Sequence, residues 1–150
     1  MRNFSNAQQF ADAVGEVLGS SDWVVVEQDR INLFADATND HQWIHVEPRL
    51  AAAGPYGGTI AHGYLTLSLV PLFLSQIFRV DGAAMAINYG LNKVRFPAPV
   101  PVGSKLRGTA QLTDVRVQDG FVQSTVSTTV EVEGSGKPAC VVESLGRYYF

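Results

Sequence analysis

The chain has 150 residues, 46% hydrophobic and 17% charged, which fits one globular domain over 1–150 and excludes both a disordered chain and two full-sized domains. Eleven basic against fourteen acidic side chains give a net charge of −3, too acidic for generic nucleic-acid binding. The single cysteine, Cys140, excludes an internal disulfide and a CxxC zinc pair.

The first residues lack the apolar block of a signal peptide, so a cytoplasmic protein is the expectation. Phe10, Val14, Val17 and Leu18 recur at helical spacing and predict a helix over Asn6–Leu18. Trp23–Val26 reads as a short strand. A second helix follows, with Asp29 as its cap, Ile31, Phe34 and Ala35 on one face, and Asn39 as a left-handed stop. Asp40–Pro48 is too polar and irregular for either period and reads as an ordered loop. Gly57-Gly58-Thr59 then leads into a long helix over Ala61–Phe78.

From Leu50 to Phe78 there are 29 residues without an Asp, Glu, Lys or Arg. Gly54, Pro55, Gly57, Gly58 and Gly63 interrupt the first half, and His62, Thr66, Ser68, Pro71, Ser75 and Gln76 the second, so a membrane span is not expected. The helix is apolar on every face, which predicts enclosure by other elements, with a missing hydrogen bond and a bend at Pro71. After Asp81-Gly82 the period becomes two: an extended Met85–Phe96, a stiff Pro97/Pro99/Pro101 connector, and a strand over Lys105–Val117. Its apolar positions change phase near Thr113-Asp114, predicting a bulge, and Asp119-Gly120 predicts a hairpin. Val122, Val126, Val130 and Val132 alternate with Gln123, Thr125, Glu131 and Glu133, and Gly134-Ser135-Gly136 turns into a last strand over Ala139–Tyr149. Early helices and late antiparallel strands predict an α+β domain. One curved antiparallel sheet wrapped around a long apolar helix, the hot-dog fold, accounts for both halves.

Two segments carry a resemblance: Phe34-Ala35-Asp36-Ala37-Thr38-Asn39-Asp40-His41-Gln42-Trp43-Ile44-His45 and Gly57-Gly58-Thr59-Ile60-Ala61-His62-Gly63-Tyr64-Leu65-Thr66-Leu67-Ser68-Leu69. Together they closely resemble the MaoC-like family of (R)-specific enoyl-CoA hydratases, in the branch similar to nodulation protein N. Val94–Val100 to Gly103 is a weaker echo of the family's next strand. The resemblance implies a hot-dog homodimer that adds water to trans-2-enoyl-CoA to give (R)-3-hydroxyacyl-CoA; no cofactor or metal is expected, and the residues leave open whether coenzyme A or an acyl-carrier protein bears the substrate. It places the catalytic pair on Asp40 and His45 and the backbone oxyanion donor on Gly63. The family's common Asn-Pro between the pair is Gln42-Trp43 here, and Ser104 stands where an acid often follows the later glycine.

The chemistry agrees with this transfer. Hydration at C3 needs a base for water, an acid for C2 and a donor for the thioester enolate. A carboxylate and an imidazole can hold one water between them, and the residues alone leave open which is the base. Glycine at position 63 lets a thioester approach the N–H there.

Lys93, Arg95, Lys105 and Arg107 meet no acid between Asp81 and Asp114. They read either as solvated strand faces or as contacts for the coenzyme A phosphates. Trp43, Tyr56 and Tyr89 are candidates for the channel wall. His62 reads as a packing or hydrogen-bonding residue beside the site, His41 as surface or structural, and Cys140 as a small buried hydrophobe. No cluster has metal-ligand spacing. An acyl-CoA thioesterase on the same fold and a non-catalytic acyl-binding protein are the competing readings. The first often carries an acid on the central helix, which this uncharged stretch lacks.

Overall fold

The computed structural model describes residues 1–150. In chain order the elements are β1 (Arg2–Phe4), α1 (Ala7–Asp12), β2 (Val17–Ser20), β3 (Val24–Val26), α2 (Gln28–Thr38), α3 (Trp43–Val46) and α4 (Pro48–Ala52). They continue with α5 (Gly63–Ser68), α6 (Val70–Ile77), β4 (Phe78–Val80), β5 (Met85–Arg95), β6 (Ser104–Gln118), β7 (Phe121–Val132) and β8 (Cys140–Tyr149). The large sheet runs β2-β6-β7-β8-β5, with β3 also on β6, and all its pairings are antiparallel. Its concave face packs on the α5–α6 rod, which is the hot-dog arrangement.

The late strands follow their local chemistry. Burial alternates along β7 without a break, with Val122, Val126, Val130 and Val132 inward. The β6–β7 register shifts between Leu112 and Asp114, the bulge that the phase change predicts. Gln118 and Phe121 face each other across the Asp119-Gly120 turn, where Gly120 takes φ +83°. Gly108 on β6 sets how closely the rod approaches. A Cβ there would lie 2.8 Å from the Phe73 Cβ, so only glycine lets α6 sit this near the sheet.

The helical half departs from its periodicity in four places. The first helix stops at Asp12, because Gly15 turns the chain at φ +92° and Val17–Ser20 pairs with β6. Asn6 is its cap, accepting from the Gln9 N–H at 2.9 Å. The second helix starts at Gln28 after Glu27, so Asp29 lies in its first turn instead of capping it, a position the helix dipole favours. The 40–48 segment contains the short helices α3 and the start of α4. The long helix begins at Gly63 and is two helices meeting at Leu69. Pro71 falls in the first turn of α6, where its missing N–H costs no internal bond. No helix is long and apolar enough to cross a membrane.

The core has two parts. One surrounds the rod, with Leu65, Val70 and Phe73 against Leu106, Val130, Cys140 and Val142. The other joins Phe4, Phe10 and Phe78, whose rings lie 5.0–6.3 Å apart and tie the parallel β1–β4 pair to the sheet. Cys140 is fully buried in the first, and burial pushes its thiol up to about 11, as expected of an inert hydrophobe. Enclosure of the rod is incomplete: Tyr64, Ser68, Pro71, Leu72 and Ser75 are exposed along one side.

Candidate active site

Asp40 and His45 are brought together by two local devices. Asn39 ends α2 in the left-handed conformation at φ 57°, ψ 25°, which swings Asp40 away from the helix axis. Four residues later the α3 turn, with the His45 N–H on the Gln42 carbonyl at 2.9 Å, points the imidazole inward. The segment is stapled from both sides. The Ile60 N–H bonds the Ile44 carbonyl at 3.0 Å. Gln28 donates to the His45 carbonyl at 2.7 Å and accepts from the Thr59 hydroxyl at 2.5 Å. Gln28 had no signal in the sequence, because its partners lie 17 and 31 residues away.

His45 Nδ1 lies 2.7 Å from the Ile60 carbonyl. A carbonyl only accepts, so Nδ1 carries the proton and, in the neutral ring, Nε2 is left as an acceptor. His62 is fixed in the opposite sense: its Nε2–H donates to the Asp40 carbonyl at 2.9 Å, which ties the rod to the loop that carries Asp40. The two imidazoles stack at 3.8 Å with planes 24° apart, and the Phe34 ring packs against His62 at 5.1 Å, tilted by 55°. The expected hydrogen-bonding role of His62 is thus met by the Asp40 carbonyl. His41 instead pairs with Asp36 at the exposed surface, 2.8 Å away.

One carboxylate oxygen of Asp40 and one ring nitrogen each of His45 and His62 all lie within 4.8 Å of one another. A water making two bonds of about 2.8 Å can bridge atoms up to about 5.6 Å apart, so the pair suits one water between them. Asp40 is about half exposed (53% for its side chain), whereas His45 is buried at 7%. Burial lowers the His45 pKa from its ordinary 6.5, the Ile60 bond opposes that, the neighbouring His62 ring adds to it, and Asp40 opposes it again. His45 is therefore a neutral acceptor at neutral pH. The three residues also make a formal donor set for a metal, but the stacked rings hold their in-plane lone pairs in separate, nearly parallel planes, and one nitrogen of each already donates to a backbone carbonyl.

Gly63 opens α5 beside this pair, and its N–H has no acceptor in the chain. A cavity of about 400 Å³ is lined by His45, Tyr56, Gly63, Thr66 and the Phe96–Val100 connector. The Phe96 ring lies over Gly63 so closely that a Cβ there would sit 3.0–3.2 Å from three of its carbons. Of the aromatic candidates, Tyr56 lines this cavity. Trp43 packs against Gly54, and Tyr89 lies on β5 beneath the Arg147 guanidinium.

The four cations do not form one cluster. Lys93 and Arg95 stand on β5 beside Ser127 and Glu143, around a hollow of about 100 Å³. Lys105 and Arg107 stand on β6, three strands away in the sheet order. Acids distant in sequence meet the latter two: Glu133, just past the end of β7, at 3.1 Å from Lys105, and Glu131 of β7 at 2.8 Å from Arg107, which also stacks on Trp23.

Residues 9–135 match the family model described as "MaoC like domain". The chain is 62% identical over 149 residues to 3-hydroxyacyl-thioester dehydratase Z of Mycobacterium tuberculosis, covering 99% of both chains. It is 47% identical over 129 residues to nodulation protein N of Rhizobium meliloti, covering 84% of this chain and 80% of that one. Among solved structures it superposes on the (R)-hydratase from A. caviae with a TM-score of 0.72 at 25% identity, covering 87% of this chain and 95% of that one.

Proposed function

The chain belongs to the MaoC-like family and is a hydro-lyase, and we propose that it adds water to trans-2-enoyl thioesters to give (R)-3-hydroxyacyl thioesters, and catalyses the reverse dehydration. The observation that carries this reading is the approach of the Asp40 carboxylate to a buried neutral imidazole whose Nε2 is an acceptor, beside the free N–H of Gly63. Two acceptors engage both hydrogens of one water and leave an oxygen lone pair for C3. As the C3–O bond forms, His45 Nε2 takes one proton and the Asp40 carboxylate holds the other hydrogen. The C2=C3 electron pair moves onto the thioester as an enolate, whose oxygen accepts from Gly63 N–H. Protonated His45, stabilised by Asp40, then returns its proton to C2. The (R) configuration comes from the family resemblance.

The thioester carrier is coenzyme A or an acyl-carrier protein. Lys93 and Arg95, which make no ion pair, are better placed for its phosphates than Lys105 and Arg107, whose charges Glu133 and Glu131 already meet. We further propose a homodimer. β5 ends the sheet as an 11-residue edge, and Met85, Ile87, Tyr89 and Leu91 on it are exposed.

Loss of the enoyl chromophore of crotonyl-CoA with the thioester intact, followed by chiral analysis of the product, tests the reaction. Asp40→Asn and His45→Gln should each lower turnover by about 10²–10⁴-fold while the fold persists. Release of free thiol would indicate a thioesterase. Near-normal turnover in both variants would remove the site assignment.

A further inference from the structure

Hydroxyls on the helices of this protein return to their own backbone, with one exception. Thr38 donates to the Phe34 carbonyl, Ser68 to Tyr64 and Ser75 to Leu72, each at 2.7 Å. Thr66 does not, although it is 1% exposed and its Oγ1 has no partner. The cause is the carbonyl four residues back. His62 O already accepts the N–H groups of Leu65 at 3.1 Å and Thr66 at 3.2 Å, which occupy both of its lone pairs. A buried hydroxyl left without a partner is uncommon in native proteins and needs an explanation. Thr66 lies one turn from Gly63 on the same side of α5, and both residues line the cavity that His45 enters.

We infer that the Thr66 hydroxyl is a second donor to the thioester oxygen, sharing with Gly63 N–H the charge that develops on the enolate. This rests on the hydration reaction proposed above. No bond of the hydroxyl within the chain has to break when the substrate arrives. A threonine in this role is held by its β-branch in few rotamers, so the donor is positioned before binding.

The test compares Thr66→Val, which keeps the shape and removes the donor, with Thr66→Ser, which keeps the donor. kcat and KM are measured on crotonyl-CoA and a longer enoyl-CoA, together with the pH profile and thermal midpoint. Thr66→Val should lower kcat by about 10²–10³-fold, with KM, the acid limb of the profile and the midpoint held. Thr66→Ser should recover most of the loss. The hydroxyl could instead serve the unpartnered Nδ1 of His62, one turn earlier on the same face. Thr66→Val would then lose thermal stability while kcat stayed, which overturns the inference. A rise in KM alone, or unchanged kinetics, overturns it as well. If unaltered protein fails to hydrate either substrate, both this inference and the proposed reaction fall. If hydration proceeds and Asp40→Asn abolishes it, while Thr66→Val is fully active, only the inference falls.

Discussion

Gly63→Ala separates two reasons for a glycine at this position. The new Cβ would meet Phe96 Cδ2 at 3.0 Å, Cγ at 3.1 Å and Cε2 at 3.2 Å, whereas carbon atoms at ease sit about 3.5–4.0 Å apart. The ring must therefore retreat by roughly half an ångström. Phe96 is 41% exposed and can move outward, so the strain belongs near the lower end of the ~1–3 kcal/mol range for overpacking. Gly63 is the first residue of α5, so the preference for Ala over Gly returns less than the ~0.5–1 kcal/mol of a helix interior, leaving a small net loss of stability. The catalytic loss is of another order. A methyl group beside the free N–H that Gly63 offers the enolate removes ~2.7–4 kcal/mol of transition-state stabilisation, which is 10²–10³-fold. The assay is kcat/KM on an enoyl-CoA, and urea stability, for Gly63→Ala, Phe96→Ala and the double variant. In the double variant the steric coupling should appear as recovered stability, while kcat/KM stays far below that of Phe96→Ala alone. Recovery of turnover to the Phe96→Ala level would mean that the glycine serves only the phenyl ring, and the oxyanion assignment would be wrong.

Two further expectations follow from burial. With the folded His45 pKa below 6.5, both folded and unfolded chains carry it neutral above that pH, and it contributes no pH dependence there. Below 6.5 the unfolded chain takes up a proton that the folded one refuses, so His45 makes stability fall with pH until its folded pKa is reached. Urea titrations between about pH 5 and 7 should show that slope reduced in His45→Gln, and an unchanged slope would contradict the buried neutral imidazole. The acid limb of kcat/KM should likewise lie below 6.5. For assembly, Ile87→Lys and Leu91→Lys on the exposed β5 edge should convert a dimer to monomers in sedimentation velocity. A wild-type chain that sediments as a monomer at micromolar concentration would remove the proposed interface.

The features legible in the sequence are those whose cause is local. The β6 bulge follows from a phase change inside one strand, the Asp119-Gly120 turn from two residues, and the end of α2 from the tolerance of Asn39 for a left-handed backbone. The Asp40–His45 pair was legible through a motif that itself encodes a short-range fold. Tertiary pairing defeated the rest. Val17 and Leu18 fit a helical face as well as a strand, and their pairing with β6, more than 90 positions along the chain, decides between them. Lys105 and Arg107 read as unopposed because Glu131, on the neighbouring strand β7, and Glu133, just past its end, lie 24 and 28 residues on. Thr66 stood inside the quoted motif, yet nothing in its neighbours says that the His62 carbonyl is already saturated.

The uncharged stretch from Leu50 to Phe78 has the same lesson at the scale of the assembly. Its hydrophobicity predicts burial on every side, but one sheet of this size covers only the side facing Gly108, Leu106 and Val130. The uncovered side of the rod approaches β5 at a groove of about 300 Å³ that Ser68, Pro71, Leu74, Gly90 and Leu91 line together. Helix face and strand edge thus form one apolar surface rather than two separate ones. A patch of this kind on an isolated chain marks an interaction site, and the edge hydrogen bonds of β5 favour a partner that can supply another strand. A second copy has both the strand and the matching apolar rod. The excess of hydrophobic residues beyond what one chain can hide is therefore information about stoichiometry, carried by the same segment that positions Gly63 and Thr66.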